Sequence, residues 1–290
     1  MFVSGFTFIR NAVKFDYPVV ESISSILPVC DEFIVALGNS EDETEALIKN
    51  INSPKIKIIP TIWDETLREG GRVLADETNK AFAAISPLAD WAFYIQADEV
   101  VHEKYLPIIK KEMDLWKDDD KVEGLLFNYL HFYGSYDYVG DSRRWYRKEI
   151  RVIKNNKNIK SFRDAQGFRI GNSLLKVKPV DAYIYHYGWV KPPALQQAKQ
   201  KYFHKLWHND DWVNRNVADT STFDYSKIDS LAVFKETHPE VMLERINKQN
   251  WSFNFDPTKK RLTFKNKILP LIEKVTGIRI GEYKDYRVIK

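Results

Sequence analysis

The chain has 290 residues, 44% hydrophobic and 29% charged with a net charge of +4 at pH 7, which excludes a disordered or fibrous protein and allows a sizeable core. Cys30 is the only cysteine, so an internal disulfide and a Cys-built zinc cage are excluded and the cytosol is the expected compartment. No apolar run approaches the roughly 18 residues of a membrane span, and MFVSGFTFIRN carries no secretory signal pattern.

The first 130 residues or so alternate β-like runs with helical periodicity, the pattern of βαβ units on a mainly parallel sheet. Phe6–Arg10 is the first expected strand. Asp16 and Pro18 then mark a helix start, and Val19, Val20, Ile23, Ile26 and Leu27 form a stripe for packing on the sheet. Phe33–Leu37 is the second strand, Ser40 or Asp42 caps a helix to about Asn50, and Lys55–Ile59 is a third strand that stops before Pro60. A helix from about Arg72 to Ala84 follows the Gly70-Gly71 turn. Trp91–Ile95 is apolar throughout, as a strand buried on both faces requires, and it runs directly into Gln96-Ala97-Asp98-Glu99.

A helix over about Lys104–Trp116 leads into strands rich in Tyr, Phe and Val, at Gly124–Tyr129, Arg147–Ile153 and Leu174–His186. This half is expected to be mixed or antiparallel. Pro193–Trp207 is helical again, and residues 209–255 are irregular or in short helices. Charge is uneven: residues 256–290 hold ten Lys/Arg against four Asp/Glu. Such a tail either packs on the domain as a charged helix or lies on the inner face of an anionic membrane. No nucleic-acid role is expected, because the rest of the chain is slightly acidic and has no recognisable RNA motif.

In open α/β sheets ligands bind beyond the carboxyl ends of the strands. Asn11, the loop Gly38-Asn39-Ser40-Glu41-Asp42, Trp63-Asp64-Glu65 and Asp98-Glu99 all fall at such ends. Adjacent carboxylates after a buried strand call for a cation, and Mg²⁺ or Mn²⁺ takes one or two carboxylates together with substrate phosphates; the alternative is that Asp98 caps the next helix. His186 closes a strand where it could complete a metal shell, bind a phosphate or pack in the core, and His131 has the same ambiguity. Lys191 and Lys199 could both meet a diphosphate, with a solvated helix face the favoured reading for Lys199. Asp164, in Arg163-Asp164-Ala165-Gln166-Gly167-Phe168-Arg169, is the candidate base for an acceptor hydroxyl, with Glu149 in reserve; a plain Arg–carboxylate pair is the other reading for each.

With these pieces in place, the chain resembles the family 2 glycosyltransferases, which have the glycosyltransferase-A fold, over about residues 1–190. Four stretches carry the likeness: Phe8-Ile9-Arg10-Asn11 with the following helix, Asn39-Ser40-Glu41-Asp42-Glu43-Thr44, Gly70-Gly71-Arg72 through Asn79, and Tyr94-Ile95-Gln96-Ala97-Asp98-Glu99. The resemblance implies a nucleoside-diphosphate sugar donor, Mn²⁺ or Mg²⁺, and transfer with inversion to a glycan, lipid-linked or protein acceptor. It implies Asp98, His186 and Glu99 around the metal, and Asn11, Asn39, Asp42, Arg72, Asn79, Gln96 and Lys191 toward the donor. Gln96 stands where the family's metal motif has its first acidic residue, and Leu37-Gly38 where the family has an Asp pair. On this reading residues 1–190 are the nucleotide-sugar-binding and catalytic domain, and residues 191–290 a helical and irregular extension packed on it. A non-catalytic binding module of the same fold and a nucleotidyltransferase are the alternatives.

Overall fold

Strands of four to seven residues alternate with amphipathic helices through the first third of the chain. In the computed structural model, which describes residues 1–67, 69–217 and 220–290, these are β1 (Val3–Ile9), α1 (Val19–Ile26), β2 (Glu32–Gly38), α2 (Thr44–Lys49), β3 (Ile56–Thr61), α3 (Arg72–Ala83) and β4 (Trp91–Tyr94). The four strands pair in parallel in the order β3, β2, β1, β4. The expected stop before Pro60 is corrected: β3 runs through Pro60, which pairs with Leu37. Proline is tolerated there because β3 is the edge strand, with no further neighbour needing its missing N–H.

The chain then forms β5 (Glu99–Val101), α4 (Leu106–Trp116), β6 (Gly124–Tyr133), β7 (Ser135–Gly140) and β8 (Lys148–Lys154). Strand β8 pairs antiparallel with β4 and with β6, so the parallel half of the sheet passes into an antiparallel half as expected. A separate three-stranded sheet follows, from β9 (Ile159–Phe162), β10 (Gly167–Ile170) and β11 (Ser173–Leu174). Strand β12 (Lys176–Trp189) then returns to the main sheet, parallel to β6 and antiparallel to β5.

The remaining elements are α5 (Pro193–Lys205), α6 (Asp210–Asn216), β13 (Leu231–Val233), α7 (Leu243–Asn247), α8 (Phe264–Thr276) and β14 (Arg287–Val288). Because β13 pairs with β7 and β14 with β12, residues beyond 190 belong to the same sheet and share its core. Helices cover both faces. Val19, Ile23 and Ile26 of α1, Ile48 of α2, and Ile109 and Met113 of α4 pack on one side, while Val73, Leu74, Ala81 and Phe82 of α3 pack on the other with Phe6, Tyr94 and Phe168. Each such side chain contributes roughly 1.5–3 kcal/mol when fully buried.

One ionic contact crosses this interior. Arg151 on β8 and Glu99 at the start of β5 are 1% and 0% exposed, and Arg151 Nε and Nη2 donate to the two Glu99 oxygens at 2.8 and 2.7 Å. Tyr129 Oη donates to Glu99 Oε1 at 2.8 Å and the Gln96 amide to Oε2 at 3.1 Å. The rings of Tyr94 and Tyr129 each lie 5.3 Å from the guanidinium. The contact therefore fixes the β4–β5 turn against β6 and β8. Removing one partner strands a buried charge, so Arg151→Met is expected to cost about 3–5 kcal/mol in urea unfolding. The double variant Arg151→Met/Glu99→Leu should recover most of that loss; equal losses in both would show that packing, not charge pairing, holds the turn.

Candidate active site

Asp98 lies in the turn between β4 and β5, so it caps no helix. It is buried, and its Oδ2 accepts from Lys199 Nζ at 3.0 Å. This corrects the expectation for Lys199: α5 lies over the strand ends, and its lysine points inward onto Asp98 and the Gly188 carbonyl, the latter at 3.0 Å. Burial pushes the Asp98 carboxyl upward, but the charges of Lys199 and Lys191 and the hydrogen bond from Lys199 more than offset it and hold the group well below the usual carboxylate range.

The other oxygen, Asp98 Oδ1, is 3.7 Å from His186 Nε2. The imidazole is oriented from behind: its Nδ1 is 3.2 Å from Nδ1 of His131, whose Nε2 meets the carbonyl of Tyr146 at 2.8 Å. A carbonyl can only accept, so His131 carries its proton on Nε2 and accepts through Nδ1. His186 must then donate through Nδ1, which leaves the Nε2 lone pair facing Asp98. Burial depresses the pKa of both imidazoles and keeps them neutral. A carboxylate oxygen and an imidazole lone pair thus confront each other, an arrangement that suits a cation. Gly188 keeps the space clear, since a Cβ there would come within 2.8 Å of both Asp98 Oδ2 and the His186 ring.

These two ligand atoms fit a divalent ion that takes its remaining oxygens from a phosphate. Among the described residues no group of three or more His, Cys, Asp or Glu is placed to hold a metal ion by itself. Glu99, expected as a third ligand, is corrected: both its oxygens are committed to Arg151, Tyr129 and the Gln96 amide.

The other expected donor residues divide into three groups. Asn11 and Asp42 join the first two strand ends, Asn11 Oδ1 accepting from the Glu41 amide at 2.8 Å and Asp42 Oδ2 from the Lys14 amide at 2.7 Å; Asn39 beside them is exposed. Lys191 is fully buried, donates to the Asp16 carbonyl and lies 4.8 Å from the Tyr17 ring. Burial, helped by the charge of Lys199, pulls its pKa down to about 7. Two of the expected donor residues make local contacts. Asn79 accepts from the Ser161 amide at 2.8 Å and ties α3 to β9, and Arg72 is exposed on Glu69 at 3.0 Å.

Asp164 sits in the turn between β9 and β10, against Gly71, where a Cβ would come within 2.8 Å of Asp164 Cβ. Gly71 has φ 71°, and its missing side chain is what lets the two turns meet. Asp164 Oδ1 is buried and has no hydrogen-bond partner among the described residues, and neither has the neighbouring Trp207 Nε1. Burial raises the Asp164 carboxyl. Glu149 on β8 is more strongly affected: burial, with the negative charges of Glu99, Asp285 and Asp164 outweighing the help of Arg151, pushes it up to about 8. Both carboxyls, with Gln96 and Arg151, line a cavity of about 550 Å³ whose far wall is residues 265–286.

Arg151 escaped the sequence reading, although a single charge inside the otherwise apolar run Ile150-Arg151-Val152-Ile153 was a usable signal for it.

The chain matches no protein-family model and no curated protein. Among solved structures it is similar to glucosyl-3-phosphoglycerate synthase from Mycobacterium tuberculosis, in a complex with Mn²⁺, uridine diphosphate and phosphoglyceric acid. There the identity is 16% over 45% of this chain and 43% of that one, with a TM-score of 0.31. It is also similar to 4-diphosphocytidyl-2C-methyl-D-erythritol synthase from Anaerococcus prevotii, at 13% identity over 53% of this chain and 70% of that one, with a TM-score of 0.33. The first match spans less than half the length of that enzyme.

A carboxyl whose folded pKa lies above its unfolded value near 4.5 gives stability that is full below that value and lost as pH rises through the folded one. For Glu149 the window is therefore roughly pH 4.5 to 8. Glu149→Gln should flatten the fall in urea-unfolding free energy across that window; an unchanged slope would mean that Glu149 ionises normally.

Proposed function

We propose that the protein is a metal-dependent glycosyltransferase of the glycosyltransferase-A type, resembling family 2, that moves a sugar from a nucleoside diphosphate to an acceptor hydroxyl. The observation that carries this reading is the confrontation of Asp98 Oδ1 with the His186 Nε2 lone pair, 3.7 Å apart beyond the ends of the parallel strands. Asp98 and His186 would hold Mn²⁺ or Mg²⁺, which supplies positive charge to the leaving diphosphate. Lys199 and Lys191 add charge beside it, and Asn11, Asn39 and Asp42 form the rim at the first two strand ends.

In transfer with inversion the acceptor oxygen forms a bond to the anomeric carbon as the bond from that carbon to the diphosphate breaks. The electron pair leaves with the diphosphate, and the hydroxyl proton passes to a carboxylate. Asp164 suits that role better than Glu149, because its Oδ1 has no partner among the described residues and Glu149, with a pKa of about 8, is mostly protonated at neutral pH. Lys199 already neutralises Asp98, and this favours, as a second reading, a binding module that takes a nucleotide without turning it over. Incubation with Mn²⁺ and uridine, guanosine or cytidine diphosphate sugars should release nucleoside diphosphate. Asp98→Asn should lower the rate about 100-fold or more, in line with losing an electrostatic contact to the leaving group. Nucleotide binding without release by the wild type would select the binding module.

The tail contact with a membrane, in a protein acting at the inner face of that membrane, rests on α8. Phe264, Ile268, Leu271 and Val275 follow one another at i, i+4, i+7 and i+11 on a single helix face, and are 79%, 37%, 63% and 86% exposed. The opposite face packs inward, with Glu273 on Arg143 at 2.8 Å and on Arg147 at 2.7 Å. The helix thus shows its apolar stripe to solvent, beside Lys267 and Lys274, as an interfacial helix does. Among the described residues no helix is long and apolar enough to cross a membrane. The protein should co-sediment with phosphatidylglycerol-containing vesicles and not with pure phosphatidylcholine vesicles, and Leu271→Glu/Val275→Glu should abolish this; undiminished sedimentation of the variant would sink the idea.

A further inference from the structure

The cavity beside Asp164 is lined unevenly. Seven cationic side chains and four carboxyls face it, and one of those carboxyls, Glu149, is mostly uncharged near neutrality. The carboxylates of residues 265–286 that meet these cations are shared among several of them. Glu273 accepts from Arg143 and Arg147, and Glu282 is paired with Arg147, Arg279 and Lys284. Arg144, Lys148 and Lys265 also line the cavity and make no ion pair among the described residues. Arg144 instead lies 5.9 Å from the Trp145 ring. The wall is therefore positive and undercompensated, whereas the floor carries Asp164 with its unpartnered oxygen.

A volume of about 550 Å³ falls within the usual range for a small-molecule site, roughly 300–1,000 Å³. Uncompensated cations in such a concavity select an anion, and guanidinium groups suit the planar or bidentate geometry of carboxylate and phosphate. We infer that this cavity receives the acceptor, and that the acceptor carries a phosphate or carboxylate group that seats on Arg144 and Lys148 while its hydroxyl faces Asp164. The inference rests on the sugar-transfer reading for the identity of the occupant, but the anion selectivity of the cavity stands apart from it.

The test is calorimetric binding to the full chain of glucose 6-phosphate, glucuronate, glucose and inorganic phosphate. A charge-assisted contact should make at least one of the two acidic sugars bind about tenfold or more tightly than glucose. Preference for glucose 6-phosphate identifies a phosphate-bearing acceptor, and preference for glucuronate a carboxylate-bearing one. Arg144→Gln/Lys148→Gln, at positions on the cavity wall outside the core, should remove the preference and leave binding of nucleoside diphosphate with Mn²⁺ intact. Equal binding of glucose and its acidic forms, a preference unchanged in the double variant, or inorganic phosphate binding as tightly as glucose 6-phosphate would each overturn the inference. If wild-type protein binds the acidic sugar but no nucleoside diphosphate, the sugar-transfer reading fails while the cavity's anion selectivity stands.

Discussion

Arg151 and Glu99 exchange two charge-assisted hydrogen bonds in the interior of the sheet, and the placement of Asp98 against His186 depends on that contact. Glu99 begins β5, so holding it holds the turn in which Asp98 sits; β5 pairs in register with β12, where Glu99 faces His186. The same guanidinium lowers the cost of burying Glu149 and forms part of the cavity wall. An ion pair so deep contributes little net stability over an apolar substitute. What it supplies is placement, because a bidentate contact fixes both the distance and the plane of its partners.

Charge at the strand ends is arranged as a sequence of partial compensations. Lys199 balances one oxygen of Asp98, and the other oxygen faces a lone pair. Lys191 is held near half protonation by its burial and by its neighbour Lys199. Each of these groups would interact better with an additional charged component than with what surrounds it now, which is the condition of a preorganised polar site rather than a finished salt-bridge network.

The parallel half of the fold was legible because its strands are apolar on both faces and its helices carry a regular stripe. The end of β3 was misread because an edge strand accepts the proline that an inner strand would reject. Asp98 could be singled out from its place after a buried strand, and His186 from its place at the end of another. The partner of Asp98 could not be foreseen, since Lys199 lies 101 residues further on and only the fold turns that face of α5 inward. Glu99 was misassigned for a related reason: a carboxylate beside a candidate metal site reads as a ligand until a buried cation on another strand claims it. The three-stranded β9–β11 sheet had too short a period to register, so the strands on either side of Asp164 were not foreseen.

Gly188 gives the site an unusual intolerance to substitution. Most positions around a reactive centre can be varied by trimming a side chain, and a library of smaller residues maps which ones matter. At Gly188 there is nothing to trim, and even one methyl group enters the gap that both Asp98 and His186 need. A residue with no side chain, and so with no chemistry of its own, is among the least replaceable in the protein, and it would go unseen in a survey that substitutes only functional groups.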